Sequence, residues 1–317
     1  MALALDRRVT DDDRCLLRGV VCPVDPGVPE QPMSGKRKRD PDSGPEVHDT
    51  DRTEQAGEVS EETEVATIID ERELNMAGGS DPGQVRELNE DSWRHEVFAE
   101  DFALAAVADG MGGHDRGEVA SSLAIETLFL EARQRHGKAK GFNVQNLKRL
   151  LRSSFSLANR SVLECGRENE SNMGTTLTTT LVYRMTEALL ANVGDTRAYL
   201  LRDGALEQIT RDHSLVAYLV QMGEIPREQA RTHPSGNILV RSVGSTDDVD
   251  IDIFHITLNP GDRILLATDG LWSELPDEEI LTLMETNPDP QEACQAMIDA
   301  ANAEGGKDNI TCVLVSV

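Results

Sequence analysis

The sequence predicts an α+β domain behind an acidic tail, and three observations carry that prediction. Strand-length apolar runs outnumber helical ones, tight turns join most of them, and two strongly apolar helices early in the domain need a sheet to cover. Strands linked by tight turns pair antiparallel, because parallel neighbours require a long crossover. The expected strands are 102–108, 177–183, 188–193, 198–201, 251–256, 264–267 and 310–317. Turn signals such as Arg202-Asp203-Gly204 and Asn259-Pro260-Gly261-Asp262 separate them. Helical spacing of apolar residues appears over 117–136, with Val119, Leu123, Leu128 and Leu130 on one side. It recurs over 145–167 through Leu147, Leu150, Leu151, Phe155, Leu157, Ala158 and Val162, and again near 289–303. Asp212-His213-Ser214 is expected to cap a helix beginning near Leu215. Pro276 opens another, since proline suits a first turn and Asp277, Glu278 and Glu279 complement a helix N-terminus.

Residues 1–77 have a different texture, with clustered Pro, Asp, Glu, Ser and Thr and little apolar periodicity. Such a segment buries too little surface to offset its ordering entropy. The expected division is an acidic, largely disordered extension over 1–77 and a folded domain over 78–317. In the extension, the basic run 35–39 reads as a solvated patch. Thr63 and Thr67 sit in an acidic linker, with recognition of a phosphothreonine as the alternative. Of the 317 residues only 3% are aromatic, so the core must rest on Leu, Val, Ile and Ala. The net charge of −26 argues against a nucleic-acid partner and against adhesion to an anionic membrane. No run approaches the ~18 apolar residues that span a bilayer. The cysteines lack the spacing of a zinc site, and Cys165 and Cys312 read as small buried hydrophobes. A cytoplasmic address follows by elimination.

The chemistry lies in four short acidic motifs: Asn89-Glu90-Asp91, Asp109-Gly110-Met111-Gly112-Gly113, Asp269-Gly270 and Asp308-Asn309. Each puts an aspartate at or beside the end of a strand-like run. Taken singly, Asp109 reads as a turn residue before glycines and Arg86 as a surface arginine. Taken together, carboxylates that converge from strand ends repel one another, and a hard divalent cation relieves the repulsion. An all-oxygen set suits Mg²⁺ or Mn²⁺, whereas zinc prefers histidine or thiolate.

These motifs resemble those of the metal-dependent protein phosphatases, the type-2C serine/threonine family in its bacterial form. The similar stretches are GQVRELNEDS (83–92), VADGMGGHDRGEVAS (107–121), MGTTLT (173–178), NVGDTRAYLLRDG (192–204), ITRDHS (209–214), HPSGNILVRSVG (233–244), ATDGLW (267–272) and GKDNIT (306–311). They stand in the family's order across roughly residues 78–317.

The resemblance implies a four-layer αββα sandwich, two antiparallel sheets flanked by helices with the metals at one edge between them. It implies two Mn²⁺ or Mg²⁺ ions bridged by Asp109, with the Gly110 carbonyl, Asp269 and Asp308 as further ligands. Asp91, beside Glu90, would hold a metal-bound water, and Arg86 would bind the substrate phosphate. A metal-bridging hydroxide would then attack phosphorus in line, with no phosphoenzyme. Met111 occupies a position where eukaryotic relatives carry histidine, and His114 is a secondary candidate for the general acid. Glu170 stands near the place of an aspartate that serves a third metal, so any third ion is expected to be weak. Asp195 is expected to support the site structurally, and 218–240 to form a variable flap.

The implied partners are phosphoprotein substrates, including a bacterial serine/threonine kinase, and the implied state is a monomer. A catalytically inactive phosphoprotein-binding relative is the rival reading; it is disfavoured because Arg86, Asp109, Asp269 and Asp308 are all present. Removal of residues 1–77 is expected to leave kcat nearly intact. Turnover of p-nitrophenyl phosphate should require Mn²⁺ and stop with EDTA, and Asp109→Asn should lower the rate by orders of magnitude; equal rates for the two proteins would remove the assignment.

Overall fold

The computed structural model describes residues 73–99, 102–112, 116–136, 143–230 and 233–317. The readings on 35–39, Thr63 and Thr67 lie outside the described residues. Two antiparallel sheets stack face to face. One has the order β1 (Asn75–Asp81), β11 (Ile310–Ser316), β10 (Arg263–Ala267), β7 (Arg197–Arg202), β8 (Ala205–Gln208). The other runs β2 (Asp91–Ala99), β3 (Phe102–Met111), β5 (Leu177–Tyr183), β6 (Glu187–Val193), β9 (Asp252–Thr257), and the short β4 (Gly174–Thr175) pairs with the end of β3. The helices are α1 (Gly117–His136), α2 (Val144–Glu168), α3 (Leu215–Gln221), α4 (Arg227–Ala230), α5 (Asp269–Trp272), α6 (Asp277–Thr286) and α7 (Pro290–Ala303).

Strand β3 shows why the central strands read as unbroken apolar runs. Successive side chains point to opposite faces of a sheet, and here both faces are covered. Phe102, Leu104 and Ala106 pack with α1 and α2, while Ala103, Ala105 and Val107 pack with Leu200, Leu266 and Val313 of the facing sheet. On the far side Tyr199, Leu265, Cys312 and Leu314 pack with α6 and α7 through Ile280, Met284, Met297 and Ile298. The result is the expected four layers, helices outside and sheets within.

Helix α2 begins where Asn143 accepts a hydrogen bond from the Asn146 N–H at 2.9 Å, as an N-cap should. Its buried stripe runs Leu147, Leu150, Leu151, Phe155, Ala158, Val162. Fully burying a side chain such as Phe155 contributes roughly 2–3 kcal/mol. Helix α1 departs from expectation: Leu130 is exposed, and Ala120, Leu123, Ala124, Leu128 and Ala132 make the buried face. Small alanines let α1 lie close to the sheet, and the pattern of large apolar residues alone misplaces its axis. Cys165, Cys294 and Cys312 are buried free thiols.

Strands β1, β2, β4 and β8 were not expected. β2 is an edge strand whose residues are mostly half-exposed, and its Arg94 and Glu96 pair with each other at 2.7 Å; polar residues on an edge hide the strand signal. β1 is Asn-Met-Ala-Gly-Gly-Ser-Asp, and a Cβ at Gly78 would stand 2.7 Å from the Trp93 ring. The glycine that weakens the local strand signal is therefore required by packing between the sheets.

β1 pairs with β11 from Asn75↔Ser316 to Asp81↔Ile310, and Leu74 and Met76 pack against the inter-sheet core. The boundary expected at residue 78 cuts this strand. A chain beginning at Glu73 should unfold at a higher temperature than one beginning at Pro82, by on the order of 10 °C if the strand contributes a few kcal/mol. Equal unfolding midpoints would show β1 to be dispensable.

Candidate active site

The four motif aspartates come from the same edge of both sheets. Asp91 starts β2 and Asp109 lies near the end of β3, and the two are register partners. Asp269 is the first residue of α5, directly after β10 and the N-cap Thr268, and Asp308 stands just before β11. β10 and β11 are neighbours, as are β2 and β3. Each sheet thus delivers a pair of carboxylates to one seam. Asp269 caps the expected strand from within a single helical turn, where it was expected to end the strand itself.

Between them is a cleft of about 170 Å³. Arg86, Asp109, Gly110, Asp269 and Asp308 all line it, together with Asp195. Asp91 sits behind it, where its Oδ2 accepts a hydrogen bond from Thr268 Oγ1 at 3.0 Å. The Thr268 hydroxyl in turn accepts the Thr311 N–H at 3.0 Å, so one side chain ties the two sheets together beneath the cleft. The Asp109 backbone is clamped from both sides: its N–H donates to Thr176 Oγ1 at 2.9 Å, and its carbonyl accepts the Thr176 N–H at 2.9 Å and Thr175 Oγ1 at 2.8 Å. Arg86, on the loop joining β1 to β2, donates from Nη2 to Asp308 Oδ2 at 2.6 Å.

The glycines after Asp109 and Asp269 are demanded by close approach of backbone. A Cβ on Gly110 would collide with the Gly117 carbonyl and lie 2.5 Å from the Glu90 carbonyl, and one on Gly270 would collide with the Asn309 carbonyl. Asn309 is the residue whose role the motifs concealed. Its Oδ1 accepts the Glu90 N–H at 2.8 Å, and its Nδ2 donates to Pro82 O at 3.0 Å and Leu88 O at 2.9 Å. It pins both ends of the loop that carries Arg86. The asparagine beside Asp308 was visible, but the loop it holds is more than 200 residues away in sequence, and no local signal links them.

Burial dominates the electrostatics. It pushes the Asp91 carboxyl up to about 8, with Asp269 and Asp308 adding repulsion against the hydrogen bonds from Thr311 and Thr268. Burial also raises Asp109 and Asp195 well above the usual carboxylate range, and raises Asp269 to about 6 with Asp308 next in effect. Among the described residues, Asp91 Oδ1 and Glu90 Oε1 are withdrawn from water and meet no hydrogen-bond donor. Orphaned, mutually repelling carboxylate oxygens are what a hard divalent cation relieves. Among the described residues no group of three acidic, histidine or cysteine side chains is already gathered closely enough to define an ion site by geometry. The fit therefore rests on burial, repulsion and unsatisfied oxygen.

Other expectations resolve unevenly. Asp212 does not cap α3; Ser214 does, accepting the Ala217 N–H at 3.2 Å, while Asp212 pairs with Arg197 at 2.7 Å. His213 is buried and accepts the Gly194 N–H at 3.2 Å on Nδ1, a packed role as expected. Asp195 is buried in the cleft wall, nearer the chemistry than its turn suggested. Glu170 is exposed and does not line the cleft. Met111 lines it, and His114 lies outside the described residues.

A cleft floored by carboxylates from two stacked sheets, with one arginine at its rim, defines a metal-assisted phosphohydrolase. The chain belongs to the protein phosphatase 2C family, whose profile matches residues 81–315. It is similar to the serine/threonine phosphatase stp of Listeria welshimeri, at 36% identity over 238 residues, 74% of this chain and 93% of that one. The crystal structure of the Mycobacterium tuberculosis serine/threonine phosphatase PstP/Ppp superposes with a TM-score of 0.68 at 36% identity, covering 77% of this chain and 98% of the other. The catalytic domain of PstP in complex with two manganese ions gives 0.66 at 35% identity, over 77% and 97% of the two chains.

The raised carboxyls make stability without metal depend on pH. A group whose folded pKa exceeds its unfolded value near 4 stabilises fully below that value, and the contribution is lost as pH rises through the folded pKa. In EDTA the unfolding midpoint should therefore fall as pH climbs through about 6 for Asp269 and about 8 for Asp91. Mn²⁺ at pH 8 should restore it, and Asp91→Asn should flatten the upper part of the fall. Thermal melts from pH 5 to 8.5 test this, and a midpoint that rises over that range contradicts it.

Proposed function

We propose that this chain, a metal-dependent serine/threonine protein phosphatase, hydrolyses phosphoserine and phosphothreonine in the cleft at the seam of its sheets. The observation that carries the reading is the delivery of Asp91, Asp109, Asp269 and Asp308 from both sheets to one place, with Arg86 at the rim. Manganese or magnesium is its cofactor, and a related phosphatase domain holds two manganese ions. Asp109, Asp269, Asp308 and the Gly110 carbonyl would hold the ions, and Asp91 supports them from behind the cleft. When bound, the cations supply Lewis acidity toward water and the phosphoryl oxygens.

The protein's own groups do the rest. The double clamp on the Asp109 backbone keeps its carboxyl aimed into the cleft without a reorganisation cost at the moment of reaction. Among the described residues the Arg86 guanidinium makes one hydrogen bond, to Asp308, which orients it. Its other N–H groups are left for the phosphoryl oxygens, where a planar fork matches paired acceptors. Asn309 holds the Arg86 loop at a fixed distance from the carboxylates.

Its phosphoprotein substrates include a serine/threonine kinase, it acts as a monomer, and it works in the cytoplasm. Two facts support the setting. Among the described residues no helix is long and apolar enough to cross a membrane. A net charge of −26 disfavours anionic lipid and nucleic acid.

Arg86→Ala should lower kcat/KM on a phosphothreonine peptide by about 10²–10³, the usual loss for one charge-stabilising donor. Arg86→Lys should recover only part, because a point charge lacks the fork. Steady-state kinetics with Mn²⁺ read both, and a wild-type rate in Arg86→Ala would overturn the assignment.

A further inference from the structure

Beside the cleft lies a second, larger groove of about 860 Å³, bounded by Gln208, Thr210, Arg211, α3, Val240, Arg241 and Asp252. The two share a wall. Ser214 and Leu239 form a short antiparallel bridge, with the Leu215 N–H on the Ile238 carbonyl and the Val240 N–H on the His213 carbonyl, each at 2.8 Å. Leu239 lines the cleft, while Ser214 and Val240 line the groove.

The charges in the groove are mostly matched. Arg197 is held by Asp212 at 2.7 Å and lies 3.5 Å from the centre of the Trp272 ring. Arg241 bonds Asp252 at 3.0 Å and stands 3.3 Å from His213 Nε2. Arg211 is different: it is exposed, and among the described residues its guanidinium makes no ion pair or hydrogen bond. Tyr218 and Val240 beside it are 53% and 55% exposed. An uncompensated cation next to open apolar surface is unusual in a chain of net charge −26, whose general field repels acidic partners.

We propose that this groove receives the polypeptide flanking the phosphorylated residue, with Arg211 selecting an acidic side chain and Tyr218 and Val240 taking an apolar one. The proposal rests on the cleft being the catalytic site and adds the class of substrate it favours: phosphoproteins with acidic and apolar residues near the phosphoresidue. Arg197 and Arg241 are already compensated by Asp212 and Asp252. Selection therefore falls to Arg211, through an exposed contact that salt weakens.

The test compares three substrates on the full chain with Mn²⁺: p-nitrophenyl phosphate, too small to cross the Leu239 wall, and two phosphothreonine peptides that differ only in flanking acids replaced by alanine. Wild type should prefer the acidic peptide, with the preference shrinking at 0.5 M salt, where the screening length falls to about 4 Å. Arg211→Glu should raise KM for the acidic peptide about fivefold or more, leave the alanine peptide within about twofold, and leave p-nitrophenyl phosphate turnover unchanged. Arg211→Lys should keep most of the preference, and Tyr218→Ala should raise KM for both peptides. Equal effects of Arg211→Glu on both peptides, no effect on either, or loss of p-nitrophenyl phosphate turnover would overturn the groove. Absence of Mn²⁺-dependent turnover of every substrate by wild type would overturn the catalytic reading instead, so the two failures are distinguishable.

Discussion

Carboxylates withdrawn from water repel one another more strongly than they do in solvent, and that repulsion organises the edge where the two sheets meet. Asp91, Asp109, Asp269 and Asp308 are brought there by strands whose positions are set by apolar packing far from the charges. The surrounding polar residues are arranged to tolerate this. Thr268 donates to Asp91, Arg86 to Asp308, and Asn309 ties down the loop that carries the arginine. What they leave unrelieved, including the orphaned oxygens of Asp91 and Glu90, is the free energy available for gripping cations.

The scaffold suits that strain because it deforms little. Strands buried on both faces hold their register through side chains packed above and below. β3 contributes the small side chains Ala103 and Ala105 to the layer between the sheets. Gly110 and Gly270 complete the approach by leaving no Cβ between neighbouring backbones. The segment from α3 to Val240 separates the small polar cleft from the broad groove. Chemistry and choice of substrate are thereby carried by different walls.

Much of this was legible in the amino-acid order. The central strands announce themselves because both faces are apolar, and α2 because its apolar stripe is strictly local. The aspartates stand out because each lies at or beside the end of a strand-like run, in a short motif that carries a glycine or asparagine. The failures have equally physical causes. β1 and β2 lie at sheet edges, where glycine and charge replace apolar alternation. Leu130 looked like core only because the alanines that define the buried side of α1 give a weak signal. Asp212 looked like a cap, but its carboxylate found an arginine on the neighbouring strand.

By itself, then, the amino-acid order determined which segments become strands and helices and which acidic residues end them, since alternation, capping and turn chemistry act over a few neighbours. The tertiary structure decided which of those acids face one another, and which uncharged residues serve them. Arg86 meets Asp308 across 222 residues and Thr268 meets Asp91 across 177. Contacts at such separations are set by how two sheets stack, a consequence of burying every apolar face at once, and no short stretch of chain carries that information.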